Sequence, residues 1–124
     1  MEPEVEKHFR KAGEIQREIE HLVAGGFYRK AIGRAYSAML SAAAAALLAK
    51  ETQSGSRQAI VDEFNSAFIK TGMLDKKYSS YFSFAYNART ESTSSSFDSC
   101  DHRMAQSTLV KVKDFIEACR KLAE

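Results

Sequence analysis

Apolar residues recur every three or four positions along most of this 124-residue chain, the spacing that builds one face of an α-helix. From Pro3 to Ala24 the stripe is Val5, Phe9, Ala12, Ile15, Ile19, Leu22 and Val23, with Glu14, Gln16, Arg17, Glu18 and Glu20 mostly off it. Pro3 suits a first helical turn, where its missing N–H costs nothing, and Glu2, Glu4 and Glu6 complement the positive end of the helix dipole. Gly25-Gly26 predicts the end of this helix, because glycine enters the left-handed cap without a Cβ clash.

A second helix is expected from about Phe27 to Lys50. Tyr28, Ile32, Ala35, Met39, Ala43, Ala46 and Leu47 share a face, which Tyr36, Leu40, Ala44 and Leu48 broaden. Beyond Ser37 the helix is apolar around most of its circumference, and it includes five consecutive alanines, Ala42 to Ala46. Such a helix belongs at the centre of a bundle, its methyl side chains letting neighbouring backbones come close. A third helix should cover about Ser56 to Lys70, with Ile60, Phe64, Ala67 and Phe68 inward and Thr71-Gly72 as its stop. Met73 and Leu74 are expected to tuck into the core, and Asp75 to cap a fourth helix that runs to about Arg89 on Tyr78, Tyr81, Phe82, Ala85 and Ala88. Thr90 to Asp101 is rich in serine and threonine and reads as a loop. Asp101 can cap a fifth helix, about His102 to Leu122, with Ala105, Leu109, Val112, Phe115, Ile116 and Cys119 inward.

With a single proline and no internal repeat, the pattern predicts an all-α fold. The expected architecture is an antiparallel up-and-down helical bundle of four main helices plus a further short or terminal helix, in one domain spanning residues 1–124. Composition adds little: 44% hydrophobic and 27% charged residues are ordinary, and a net charge of +2 neither supports nor excludes a nucleic-acid partner. The alanine-rich stretch Ala38 to Ala49 reads as too short and too weakly apolar to span a bilayer. The acidic start is the wrong sign for a secretory leader, so the expected setting is cytoplasmic with no membrane. Cys100 and Cys119 form no disulfide framework and lack metal spacing with His8, His21 or His102. Cys119 falls on an apolar face as a buried thiol, and no metal or cofactor is expected.

Arg34, near Arg29, Lys30 and Tyr36, reads either as part of a solvated basic face or as a rim guanidinium that grips phosphate with its planar fork. Arg89 is either a cation at a helix C-terminus or a phosphate-binding group beside a hydroxyl-rich loop. His102 reads first as a solvated residue at the start of helix five. No phosphate-cradling glycine loop, zinc signature, nucleophile elbow or paired-carboxylate motif is present.

Three segments carry a family resemblance. They are Gly33-Arg-Ala-Tyr-Ser-Ala-Met-Leu40, IVDEFNSAFIKTGMLDKKY from Ile60 to Tyr78, and Tyr86-Asn-Ala-Arg89. Together they resemble HEPN domains, the higher-eukaryote and prokaryote nucleotide-binding superfamily, and most closely its short single-domain members, over about Gly26 to the C-terminus. The resemblance implies a homodimer that often pairs with a nucleotidyltransferase in toxin–antitoxin or defence modules. Active members cleave RNA with an arginine followed, after four to six intervening residues, by histidine. Arg89 matches that arginine, but Ser94 to Ser96 stand where the histidine would fall. Gly33, Ser37 and Arg57 likewise replace the family's asparagine, second tyrosine and histidine. Arg34 and Tyr36 correspond to polar positions thought to line its cleft or interface.

The expected function is therefore a nucleotide- or RNA-binding module, or a nucleotidyltransferase partner, with a degenerate catalytic motif and with Arg34, Tyr36 and Arg89 as binding residues. The rival readings are a metal-independent ribonuclease using Arg89 and His102, and a purely structural dimer.

Overall fold

A computed structural model describes residues 2–51, 56–92 and 100–124. It contains α1 (Pro3–Ala24), α2 (Tyr28–Ala49), α3 (Arg57–Phe64), a π-helical turn (Asn65–Ile69), α4 (Lys77–Ser92) and α5 (His102–Ala123), and no strand among the described residues. The four long helices run alternately up and down. Glu18 of α1 meets Arg34 of α2, Tyr78 of α4 meets Asp114 of α5, and Phe9 near the start of α1 lies under Arg120 near the end of α5. The short α3 and its π-turn occupy the crossover between α2 and α4.

The caps follow the sequence. α1 closes in a Schellman motif, with Gly26 left-handed at φ 82°, its N–H donating to the Val23 carbonyl, and the Phe27 N–H donating to that of Leu22. Ser56 caps α3 by accepting from the Ala59 N–H, and Asp101 caps α5 by accepting from that of Met104. Asp75 accepts from the Lys77 N–H at 2.9 Å at the head of α4.

α2 is the centre of the bundle: α1, α3, α4 and α5 all pack on it, and Ala38, Ala42, Ala43, Ala45 and Ala46 are fully buried. By length and a mean hydropathy of 1.4, α2 is long and apolar enough to cross a membrane, contrary to the reading from composition. Within this fold 67% of that stretch is covered by the protein's own helices. The far side of the core is aromatic. Phe115 stacks on Phe64 (5.2 Å between centroids) and meets Phe82 edge-on (4.8 Å), joining α3, α4 and α5. Cys119 is buried, which pushes its thiol far above the ordinary range and leaves it unreactive.

Three expectations need correction. Helix three stays helical to Ile69, near the expected Lys70, but is α-helical only to Phe64: the Lys70 N–H bonds five residues back, to the Asn65 carbonyl at 2.9 Å, in a π-turn. Met73 does not enter the core but stays 54% exposed, because left-handed Gly72 (φ 79°) turns the chain outward before Leu74 returns its N–H to the Phe68 carbonyl. α4 runs to Ser92, so the first residues of the expected serine loop are helical; 93–99 lie outside the described residues.

Candidate functional site

Two grooves open on either side of one segment of α2. Consecutive helix residues are turned about 100° apart, so Arg34 and Tyr36, two positions apart, face different sides of their helix. The first groove lies between α1, α2 and α3, has a volume of about 300 Å³, and is lined by His8, Lys11, Arg34, Ser37, Ser41 and Arg57 with Ile15, Leu40, Ala44 and Ile60. Among the described residues no carboxylate lines it. Arg34 is held from outside, where its Nε donates to Glu18 Oε1 at 3.1 Å, engaging one of the five guanidinium donors. The pair is exposed and adds little to stability, so its effect is to aim the guanidinium. Among the described residues neither Lys11 nor Arg57 has an acidic partner.

The second groove, about 230 Å³, lies between α3 and α4 over the rings of Tyr36 and Phe82. Tyr36 is 4% exposed and packs edge-on against Tyr86 (5.5 Å) and Phe82 (6.2 Å), with the Arg89 guanidinium 6.0 Å from its ring centroid. Burial raises the Tyr36 pKa, while the charges of Arg57 and Arg89 partly counter that rise and Tyr86 adds to it. Arg57, which lines the first groove, is therefore close enough to influence the phenol of the second.

The sign of this shift makes a prediction. Burial also raises Tyr78, with a further contribution from its 2.9 Å hydrogen bond to Asp114. A tyrosine whose folded pKa exceeds its unfolded value of 10.0 contributes stability that is complete below that value and is lost as pH rises through the folded pKa. The thermal midpoint will thus fall as pH is raised above 10, and Tyr36→Phe will flatten that fall; an unchanged slope in the variant would remove Tyr36 as a contributor.

Arg34, Tyr36 and Arg89 are thus not one cluster. Tyr36 and Arg89 are joined directly, and Arg34 belongs to the neighbouring groove, connected through Arg57. His102 lies elsewhere: it meets Tyr28 edge-on at 5.4 Å and approaches Gln106 at 3.4 Å. Tyr28 starts α2, roughly 12 Å of helix from Tyr36, and no described contact joins His102 to Arg89. Ser94 to Ser96 lie outside the described residues. Sequence reasoning missed Lys11, His8 and Asn65 and noted Arg57 only as a departure from a motif; their convergence depends on how α1 and α3 cross α2, which no local pattern encodes.

A family model of the HEPN domain matches residues 5–122. The chain belongs to the HEPN domain family. This HEPN match takes in α1 as well, which the motif resemblance did not cover. A UPF0332 protein of Thermotoga maritima is 24% identical over 115 residues, covering 93% of this chain and 87% of the relative.

Proposed function

We propose that this HEPN domain binds single-stranded RNA, or a nucleotide piece of it, through its phosphates and without cleaving it. The observation that carries this reading is the cationic groove made by Lys11, Arg34 and Arg57 from three helices, whose described lining has serine hydroxyls and no carboxylate, with Arg89 of a fourth helix next to it over the Tyr36 ring. Guanidinium forks suit phosphate oxygens, and cations drawn from separate elements can follow a strand. The described surroundings of His102 favour no general-base role for it, since a base must reach the proton it removes. Family membership supports extending the reading to a homodimer acting in the cytoplasm beside a nucleotidyltransferase partner, in a toxin–antitoxin or defence setting.

Fluorescence anisotropy of a labelled single-stranded RNA octamer, read across a salt series, tests it. Four phosphate contacts at about 0.7 each predict a slope of about −2.8 in log affinity against log salt. The octamer should remain intact on a denaturing gel. No binding at low salt, or a flat salt dependence, would overturn the reading.

A further inference from the structure

We infer that the groove between α3 and α4 is a nucleobase pocket, in which the side-chain amides of Asn65 and Asn87 read the edge of a base and the half-exposed ring of Tyr86 stacks on its face. This rests on the RNA reading for its context but on different residues.

The described residues that line this groove carry no formal charge. Its walls combine aromatic rings, Tyr36, Phe82 and Tyr86, with neutral amides, Gln58, Asn65 and Asn87. An amide offers both donors and an acceptor, and so matches the mixed edge of a base, whereas an anion would need a cation in the wall. Gln58 is already oriented, its Nε2 donating to Asp62 at 3.0 Å. Tyr86 is 50% exposed, as a stacking platform for a single-stranded base must be.

Asn65 is in an unusual state. Its Oδ1 is buried and has no hydrogen-bond partner among the described residues. Buried acceptors are nearly always satisfied, and one that is not destabilises the fold, so it calls for an explanation. The same residue opens the π-helical turn. Such turns are uncommon and recur at functional sites, because the wide turn re-aims side chains that an α-helix would hold elsewhere. Here it places the Asn65 amide in the wall of a cavity with its oxygen turned inward, so that rotating the amide brings the unsatisfied acceptor to a base.

Tyr36 and Ser37 are neighbours in sequence and line different grooves; so are Gln58 and Arg57. The uncharged groove and the cationic one therefore share a wall two residues thick on each side. A volume of about 230 Å³ is small; ligand pockets usually run roughly 300–1,000 Å³. A single base fits that space with its phosphate over the wall.

Adenosine, guanosine, cytidine and uridine, titrated separately, carry no phosphate and so test this groove alone, while an abasic ribose-phosphate octamer tests the cationic groove alone. Nucleosides should shift the side-chain amide signals of Asn65 and Asn87 in nitrogen-15 spectra, with one nucleoside binding about tenfold tighter than the weakest. Asn65→Leu should abolish that preference and raise the melting temperature by about 4 °C, since the orphan oxygen is gone. Asn87→Ala, at an exposed position, should weaken the preferred nucleoside about tenfold. Neither change should affect the abasic octamer. Nucleosides that bind while the abasic octamer does not would support the pocket and remove the phosphate reading. If the octamer binds and no nucleoside moves either amide, the pocket is overturned and the phosphate reading stands. Asn65→Leu retaining full base preference would also overturn it.

Discussion

Replacing Arg34 and Arg57 together by alanine will lower the affinity for single-stranded RNA about 100-fold at low salt, and will reduce the salt slope by about 1.4. Each guanidinium supplies a charge-assisted hydrogen bond to phosphate, worth about 1.5–3 kcal/mol. Two such contacts reach about 3 kcal/mol at the low end, or about 100-fold. The low end applies because Arg34 is 41% exposed and already engaged with Glu18. Removing Arg34 also leaves the Glu18 carboxylate without its cation near the groove, so the substitution adds repulsion to the lost attraction. Arg34→Lys keeps the charge and should retain the salt slope while losing part of the affinity, because an ammonium cannot present a planar fork. Lys113→Ala removes an exposed cation from α5, which lines neither groove, and is the control for net charge. Anisotropy across the same salt series reads all four proteins. If the double variant matches the control, the cationic groove is not where phosphate binds.

Phe115→Ala will cost about 3–5 kcal/mol of folding stability. That is a large share of the roughly 5–15 kcal/mol that holds a domain of this size together. Phe115 is fully buried and is the common neighbour of Phe64, Phe82 and Tyr78, so its ring touches α3 and α4 from α5. Truncation leaves a cavity bounded by rings from two other helices, which cannot all move inward together. A melting temperature lowered by roughly 12–20 °C, followed by circular dichroism, is the expected result. Met73→Ala, at an exposed turn, should change it by no more than a degree or two, since surface substitutions lie within about 0.5 kcal/mol. A Phe115→Ala loss below about 1 kcal/mol would show that the aromatic cluster does not hold the far side of the bundle.

Periodicity made α1 and α5 legible almost residue by residue, because each buries a single stripe and carries its own caps. It located α2 through a different signal, small side chains around most of the helix. It could not see the π-turn: Phe64 and Phe68 keep ordinary helical spacing, and both are buried, so the pattern reads through Asn65 without a break. Met73 misled because an apolar residue after a glycine looks like core, while the left-handed backbone at Gly72 sends it to solvent. The site was legible only in part. Arg34, Tyr36 and Arg89 all lie at grooves or against their walls, and the 200° between two helical positions sends Arg34 and Tyr36 to different ones. The rest of the site lies on α1 and α3, and its assembly is tertiary.

Alanine has no side-chain rotamers, so a spine of buried methyl groups has no means of repacking when something pushes on it. Phe64 is the only fully buried residue of α3, which otherwise leans on α2. Half-buried Ile60 and Val61 join that ring in packing α3 against the core. Arg57 and Gln58 begin that helix and line different grooves, so the resting placement of one eight-residue helix sets the width of both.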